Sequence, residues 1–333
     1  MSHTFRRLNK TYPMKKSNKS PFEPFDGMKF SDDQCFLCGV PLLEGIDSKE
    51  HVFPKWLLHR YNLWNKSLTL PNRTSIPYRY LTIPCCSKCN NDHLSKLEGE
   101  IETAVNKGIK YVAKVDKLRL YQWIGKIFYG LLYRELSLVV DRSNPEIGSI
   151  TTPEFLQDFR ALHGFLQSII KPIEFLDFFP GSLFIFDVET IPEIGEFDYS
   201  DNFIGMTFFI RLNNIGIIAC LKDDGQVSKS LAKIYRAVKK VKVHPIQFDE
   251  LCAIVFYKSF SMIRDGNYLS MTSVKNRTTI VKLPGLSLAP IFDEWNDEIF
   301  ARFLEEFWAK WSIPFDEIFV PPNSVRSYLG DYM

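Results

Sequence analysis

Two Cys-x-x-Cys pairs constrain the fold of this chain more than any other feature of its sequence. Cys35 and Cys38 form the first pair, and Cys86 and Cys89 form the second. The two-residue spacing lets both thiolates of a pair converge on one ion at about 2.3 Å. Together the pairs predict a closed, tetrahedral, structural Zn²⁺ site. The alternative is a set of four reduced thiols without a metal.

The other three cysteines are interpreted differently. Cys85 stands beside Cys86 and could replace it as a ligand. However, the residue three positions after Cys85 is Lys88, so Cys85 does not begin a Cys-x-x-Cys pair. Cys220 and Cys252 lie in apolar surroundings and are predicted core residues. The crowding of five of the seven cysteines into residues 35–89 favours metal binding over a disulfide framework.

The length and composition indicate more than one unit of structure. With 333 residues, the chain is longer than one core usually spans, and 45% hydrophobic residues allow a sizeable interior. No apolar run approaches the roughly 18–20 residues of a membrane helix. The N-terminus has no apolar signal-peptide region. These features predict a cytoplasmic protein that does not bind membranes.

Positive charge is concentrated in the cysteine-containing part. Residues 1–100 contain 15 basic and 10 acidic residues, and the remainder contains 26 and 29. The first twenty residues have six basic residues and no acid. Residues 1–30 are therefore predicted to be a basic flexible arm, either a solvated tail or a contact to phosphate backbones.

Glu50 and His51 lie between the cysteine pairs, and Asn90 directly follows Cys89. Neighbouring side chains on an extended segment point in opposite directions, so Glu50 and His51 are predicted to have different roles. One can hold a divalent cation while the other faces a water molecule. Asn90, at the start of a predicted helix, is the second candidate ligand. A carboxylate oxygen, an amide oxygen and waters suit Mg²⁺ or Mn²⁺.

This set of side chains meets the needs of phosphodiester hydrolysis with one metal ion. His51 would accept a proton from the attacking water. The metal ion would stabilise charge on the phosphate and on the leaving 3′ oxygen. Water and leaving group must lie in line on opposite sides of phosphorus, which fits a base and a ligand on diverging side chains. The alternative role for His51 is a structural histidine beside the cysteine pair.

In combination, Cys-x-x-Cys, Glu-His-x-x-Pro and Cys-x-x-Cys-Asn resemble an HNH endonuclease of the His-Me finger (ββα-metal) class. The chain is most similar to the zinc-stapled branch that includes phage junction resolvases. The match covers about residues 33–100, under a third of the chain. The resemblance implies that His51 is the general base, that Glu50 and Asn90 are metal ligands, and that DNA is the substrate. It also makes His93 the last histidine of the H-N-H pattern and a further ligand; otherwise His93 is a solvent-facing helix residue.

The chain departs from this family in two places. The family more often has Asp before the base histidine, where this chain has Glu50. A long insert around residues 57–82 separates His51 from Asn90. Its basic and aromatic residues are interleaved, which suits a loop facing nucleic acid; they are Arg60, Lys66, Arg73, Arg79, Tyr61, Trp64, Tyr78 and Tyr80. The alternative is that Trp56, Leu57, Trp64 and their neighbours are core.

Residues 115–333 are predicted to form a larger domain of helices around a small antiparallel sheet. Apolar periodicity predicts helices at about 116–137, 153–171, 226–241, 246–264 and 294–312. Strands are predicted in SLFIFDV, FIGMTFFIRL, GIIACLK and RTTIVKL, with a hairpin turn at Asn213-Asn214. The aromatic residues of the last helix are equally compatible with a core and with a dimer surface.

The sequence thus predicts an α+β protein with three parts: a basic arm (1–30), a zinc-stapled HNH nuclease domain (31–114) and a regulatory, dimerising or partner-binding domain (115–333). The predicted function is metal-dependent hydrolysis of DNA. A looser similarity of EHVFPKWLL and CNNDHLSKLE to HNH proteins of bacterial anti-phage systems points to a defence effector. The alternative is a non-catalytic zinc ribbon that binds nucleic acid or serves as a scaffold.

Overall fold

The structure is a computed structural model of the chain. It describes residues 33–42, 48–70, 72, 74–136, 138–141, 143–148, 153–263, 267–273, 277–283, 290–322 and 324–330. The predicted basic arm, residues 1–30, lies outside the described residues, as does Arg73 of the insert.

Helices are found throughout the described residues. In chain order they are α1 (Lys55–Arg60), α2 (Ser95–Lys107), α3 (Ile109–Val112), α4 (Lys117–Leu136), α5 (Pro153–Leu166), α6 (Gln226–Ser230), α7 (Ala232–Val238), α8 (Pro245–Phe260), α9 (Asp297–Trp308) and α10 (Phe315–Ile318). A π-helical turn, Cys89–Leu94, leads directly into α2.

The strands belong to one larger and several small sheets. They are β1 (Ser48–His51), β2 (Ser67–Thr69), β3 (Ser75–Pro77), β4 (Thr82–Cys85), β5 (Ile173–Leu176), β6 (Ser182–Val188), β7 (Phe197–Asn202), β8 (Thr207–Leu212), β9 (Ile215–Cys220), β10 (Lys242–Val243), β11 (Asn267–Thr272), β12 (Thr278–Leu283), β13 (Phe319–Val320) and β14 (Ser324–Val325). The mixture of helices and sheets confirms the α+β class.

The cysteine-containing part is built from two strands and a helix. β1 and β4 pair antiparallel, with Glu50 opposite Ile83 and His51 opposite Thr82. The polypeptide then passes through the π-helical turn into α2, whose predicted apolar stripe is buried at Leu97, Ile101 and Val105. The long insert between β1 and β4 contains α1 and its own two-stranded sheet, β2–β3. The order strand, strand, helix positions the candidate site at the end of β1.

Helix α4 packs directly against this unit. The periodicity predicts a helix over 116–137, and the structure has one over Lys117–Leu136. Its side chains are buried on most of its circumference, as its apolar pattern predicts. Gly130 allows close contact with the strand pair, because a Cβ there would lie 3.0 Å from a Val52 methyl group. On another face, a Cβ at Gly125 would lie 2.9 Å from Leu166 of α5.

The larger sheet lies in the C-terminal half of the chain. Its strand order is β10-β6-β9-β8-β7, and β8 and β9 form the predicted hairpin through Asn213, which adopts a positive φ of 53°. The sheet is antiparallel except for β10, which pairs parallel with β6. A second, three-stranded sheet of β11, β12 and β5 also contains a parallel pair. The antiparallel prediction is therefore correct for most of the pairings but not for all.

The predicted helices of this half are present, with shorter boundaries. Residues 226–241 form two helices, α6 and α7, that are separated at Leu231. Helix α8 begins after His244, whose ring accepts a hydrogen bond from the Ile246 N–H and caps the helix. Helix α9 packs mainly into the core through Phe300, Leu304 and Phe307. Cys220 and Cys252 are buried, which confirms their predicted place in the core.

The hydrophobic interior crosses the predicted boundary at residue 114. One cluster of buried side chains continues from the cysteine-containing part through α4 and α5 to β8 and β9. A second cluster fills the space among β6, α8 and α9. The nuclease domain predicted over 31–114 thus shares a core with residues beyond it, and its independence as a folding unit stays a prediction.

Candidate metal centre and active site

The four predicted zinc ligands come together at one point. The sulphur atoms of Cys35, Cys38, Cys86 and Cys89 all lie within 4.8 Å of one another. The Sγ atoms of Cys38 and Cys86 are 3.7 Å apart. A tetrahedral ion with Zn–S bonds of about 2.3 Å requires sulphur atoms about 3.8 Å apart. The cysteine cluster is therefore close enough to bind a metal ion.

Main-chain hydrogen bonds shape both cysteine pairs. In the first, the Gly39 N–H donates to the Cys35 carbonyl at 2.9 Å, and Gly39 has a positive φ of 73° that favours glycine. In the second, the Cys89 N–H donates to the Cys86 sulphur at 3.4 Å. The Phe36 N–H donates to the Pro84 carbonyl at 2.9 Å, which joins the two pairs. Main-chain hydrogen bonds in the local turns thus help to position the four thiols.

Helix α5 supports the first cysteine pair from the other side of the predicted domain boundary. A ring nitrogen of His163 lies 2.8 Å from the Phe36 carbonyl oxygen. The Gln167 side-chain amide donates to the Leu37 carbonyl at 2.6 Å. Both carbonyls belong to the turn between Cys35 and Cys38. Residues far along the chain therefore hold the turn between Cys35 and Cys38 in position.

Cys85 is not one of the four converging thiols, so the second pair is Cys86 and Cys89, as their spacing predicts. The Cys85 thiol is buried and donates to the Cys86 carbonyl at 3.6 Å. A hydrogen bond with the Cys35 sulphur, followed by burial, raises the pKa of the Cys85 thiol. Cys85 therefore lies against the cluster as a neutral thiol.

Glu50 and His51 point to different sides of β1, as the alternation of strand side chains predicts. The Glu50 side chain is buried, and only 6% of the residue is exposed. Its Oε1 atom forms an ion pair of 2.5 Å with Nζ of Lys126 on α4. The predicted metal ligand thus already has a cationic partner inside the protein.

Lys126 forms a buried charge cluster with two acids. Its Nζ lies 2.9 Å from Oε1 of Glu98 on α2 and donates to the main-chain carbonyls of His51 at 2.6 Å and Val52 at 3.2 Å. Burial lowers the pKa of Lys126, but Glu50 and Glu98 more than offset this, and the pKa lies above its ordinary value. The ammonium thereby fixes the end of β1 to α2 and α4.

Glu98, one of the two acids that contact Lys126, lies in surroundings that disfavour a charged carboxylate. Burial is the main cause that raises the pKa of Glu98 to about 7, against the opposing effect of Lys126, and the nearby Glu50 raises it further. Two carboxylates share one ammonium, so a proton on Glu98 relieves their repulsion. Near neutral pH the cluster therefore changes its charge.

His51 is half-buried, and its ring has contacts on two sides. The ring stacks on Trp64 with 5.7 Å between centroids. Burial and the positive charges of Lys55 and Lys126 lower the pKa of His51, while Glu50 and a hydrogen bond with the Arg79 main chain raise it by less. A histidine with a lowered pKa is neutral at neutral pH, which is the state in which it can accept a proton.

Asn90 and His93 lie in the π-helical turn that follows the cysteine pair. The Asn90 N–H donates to the Cys86 carbonyl at 3.0 Å, so the position of Asn90 depends directly on the metal-binding turn. His93 is half-buried. Turns of this kind often occur at functional sites.

The structure assembles some of the predicted site residues and separates others. The four cysteines form one cluster, and Glu50, His51 and Asn90 lie on the two segments attached to it. In the part of the chain that the structure describes, Glu50, His51 and His93 do not form a second group of metal-binding side chains comparable to the cysteine cluster.

The insert divides into buried and exposed aromatic residues. Tyr61 and Tyr78 are buried in the core, whereas Tyr80 is 58% exposed, with the Arg79 guanidinium 4.6 Å from its ring centroid. Leu57 is also buried, as the core interpretation of the insert requires. The core interpretation is therefore confirmed for Tyr61, Tyr78 and Leu57, whereas contact of the exposed residues with nucleic acid stays a prediction.

Sequence reasoning missed Lys126 and Glu98. A signal was present, because Lys126 is a single charge within the apolar run WIGKIFYG, and a charge in such a run requires a buried partner. Its partners could not be identified from the sequence, since Glu98 lies 28 residues before Lys126 and Glu50 lies further away still. Only the packing of α4 across the strand pair brings them together.

Comparison of the chain with family models, with curated proteins and with solved structures found no match. The resemblance to HNH endonucleases therefore stays a prediction that rests on the motifs. Within the described residues, no helix is both long enough and apolar enough to span a membrane.

Proposed function

We propose that this chain is a metal-dependent endonuclease of the HNH type, which hydrolyses phosphodiester bonds of DNA with His51 as general base. The observation that supports the proposal most strongly is the environment of His51. The residue ends a strand in a strand–strand–helix unit that is joined to a four-cysteine cluster, and its pKa is lowered. Structural Zn²⁺ at the cysteine cluster is part of the proposal.

In this proposal each residue has a separate task. His51 accepts the proton of the attacking water, and its contacts with Trp64 and the Arg79 main chain orient the ring. Asn90 and Glu50 would hold a divalent cation, with His93 as a further ligand. A bound Mg²⁺ or Mn²⁺ supplies stabilisation of the charge that develops on the phosphate. Glu50 fits this task only in part, since its Oε1 is bonded to Lys126.

A second candidate function is a zinc ribbon that binds nucleic acid or serves as a scaffold without catalysis. The ion pair of Glu50 with Lys126 favours this second candidate. A carboxylate whose charge is balanced by a lysine is a weaker ligand for a divalent cation. The two candidates differ in one measurable property, which is cleavage of DNA in the presence of Mg²⁺ or Mn²⁺.

We expect His51→Ala to lower the rate of plasmid cleavage by about 10²–10⁴-fold, since the proton acceptor is removed. The measurement is nicking of supercoiled DNA with Mg²⁺ or Mn²⁺. The variant should keep its zinc content and its thermal unfolding profile. Cleavage at the wild-type rate by a folded variant would show that His51 is not the base.

Asn90 offers a matched comparison. Asn91 is its exposed neighbour in the same turn. Asn90→Ala should increase the concentration of Mn²⁺ needed for half-maximal cleavage, whereas Asn91→Ala should not. Equal metal dependence of the two variants would remove Asn90 from the ligand set. No cleavage by the wild-type protein on single-stranded, duplex or branched DNA would favour the second candidate.

A further inference from the structure

The end of α2 and the short α3 carry an exposed aromatic ring between two lysines. Tyr111 is 50% exposed. The Nζ atoms of Lys107 and Lys114 lie 5.5 Å and 5.8 Å from its ring centroid. Gly108, with a φ of 94°, makes the turn between the two helices that allows this arrangement. Lys110 is also exposed on α3.

Few acidic residues lie near these three lysines in the sequence. Residues 103–115 contain three lysines and no Asp or Glu. The nearest acids in the sequence, Glu102 and Asp116, flank the segment. The Asp116 carboxylate accepts hydrogen bonds from the Leu118 and Arg119 N–H groups at the start of α4. The acid therefore caps a helix, and the lysines remain a net positive surface.

Contacts connect this surface to the candidate base. The His51 ring stacks on Trp64, and Trp64 stacks on His59 with 4.8 Å between centroids. Arg60 follows His59 and donates to the Asn106 side chain at 2.5 Å, and Asn106 precedes Lys107. Arg60 and Asn106 are both exposed. Two ring contacts, one hydrogen bond and two steps between chain neighbours, His59 to Arg60 and Asn106 to Lys107, thus lead from the site to the lysines.

Exposed cations beside an exposed ring fit a chain of phosphates carrying bases. A lipid surface would instead require exposed apolar side chains beside the lysines. In the segment 106–114, the other exposed residues are Asn106, Tyr111 and Ala113, and Val112 is buried. The composition of this surface therefore favours nucleic acid.

We propose that Arg60, Lys107, Lys110, Tyr111 and Lys114 form a basic track that binds the phosphate backbone of the nucleic acid leading to His51. The proposal rests on the proposed function in one respect only, that the nucleic acid is the substrate. Helix α2 with the preceding turn is roughly 25 Å long at about 1.5 Å per residue. The track thus lies several nucleotides away from Asn90 along the helix.

The test compares two triple variants of the full chain. The track variant is Lys107→Ala, Lys110→Ala and Lys114→Ala. The control is Lys239→Ala, Lys240→Ala and Lys242→Ala, which removes three exposed lysines from another part of the molecule. Both are made in the His51→Ala background to prevent cleavage. Binding to a fluorescein-labelled duplex of about 30 base pairs, roughly 100 Å long, is measured by anisotropy across a range of salt concentrations.

The track variant should bind the duplex at least about tenfold more weakly near physiological salt. The slope of log affinity against log salt should become shallower by about 2–3, at roughly 0.9 for each phosphate that a lysine no longer neutralises. The control should keep the affinity and slope of its parent. Unchanged binding by the track variant would overturn the proposal, as would equal reductions in both variants. Weaker binding to phosphatidylserine vesicles with DNA binding intact would also overturn it.

Cleavage by the chain with wild-type His51 separates this proposal from the proposed function. If the protein binds DNA through the track but does not cut it, the track stands and the nuclease assignment fails. If it cuts DNA and the track variant has an unchanged KM, the nuclease assignment stands and the track fails. Tyr111→Phe, which keeps the ring, should bind like the parent, whereas Tyr111→Ala should bind more weakly.

Discussion

At the residue scale, Lys126 determines how the candidate site is held together. Its ammonium is fully buried and contacts two carboxylates and two main-chain carbonyls. Desolvation of such a group is compensated only while its partners remain in place. Substitution of Lys126 is therefore expected to disturb the packing around His51 more than other single substitutions at the site.

We expect Lys126→Met to destabilise the protein by about 3–5 kcal/mol, because it leaves Glu50 buried without a positive partner. The measurement is urea unfolding followed by circular dichroism. Lys96→Met, at an exposed position of α2, should change the stability by less than about 0.5 kcal/mol. The double variant Lys126→Met, Glu50→Gln should recover part of the stability; no recovery would contradict the role of the charge.

Glu98 predicts a dependence of stability on pH. Its pKa is raised from 4.5 to about 7 in the folded chain, so the folded state binds a proton that the unfolded state releases. This contribution is fully present below pH 4.5 and is lost as the pH rises to 7. The decrease amounts to about 3 kcal/mol, since one pKa unit corresponds to about 1.4 kcal/mol.

The variant Glu98→Gln should remove this dependence. Its free energy of unfolding should fall less steeply than that of the wild type between these pH values. Urea titrations at several pH values measure the difference. Glu102→Gln, four residues further along the same helix, serves as the control and should follow the wild type. If the free energy of unfolding has the same dependence on pH in the wild type and in Glu98→Gln, Glu98 does not take up the proton.

At the scale of elements, sequence-based prediction succeeds best where one pattern decides the structure. The apolar circumference of α4 and the Phe- and Ile-rich run of β6 each identify the element. Prediction is poorer where tertiary contacts decide. In strand β7, FDYSDN, aromatic residues alternate with polar ones only at Phe197 and Tyr199, and every residue is only partly buried, yet the strand pairs with β8 along its length. Pairing with β8, more than this short alternation, makes it a strand.

The candidate site shows the same division. The cysteine pairs could be predicted because the geometry of a tetrahedral ion imposes their spacing. The opposite directions of Glu50 and His51 followed from strand alternation. The burial of Glu50 against Lys126 could not be predicted, because it depends on how α4 approaches the strand pair at Gly130. Local rules therefore identified the residues but not their partners.

At the scale of the whole molecule, the cysteine-containing part depends on the rest of the chain. Helix α4 supplies Lys126, and α5 supplies His163 and Gln167 to the metal-binding turn. The first hydrophobic cluster extends across the boundary predicted at residue 114. The larger C-terminal part is thus a structural support of the candidate site, whatever partners it has.

A fragment of residues 31–114 tests this dependence. We expect it to remain unfolded or aggregated even with added zinc, because its apolar surface against α4 and α5 would be exposed to water. A fragment of residues 31–222 contains nearly all of the first hydrophobic cluster, so a larger fraction of it should fold. Circular dichroism and amide chemical-shift dispersion measure folding. A cooperative unfolding transition of the shorter fragment would show that it is an independent domain.

The bond between the Lys126 ammonium and the His51 carbonyl has a thermodynamic consequence. Because α4 and the end of β1 share this contact, a shift of α4 changes the surroundings of His51. Any ligand with different affinities for two positions of α4 would then be coupled to binding beside His51. Such coupling is reciprocal: the factor by which the ligand changes substrate affinity equals the factor by which substrate changes ligand affinity. Under the proposed function, this contact would couple α4, and with it the C-terminal part, to substrate binding beside His51.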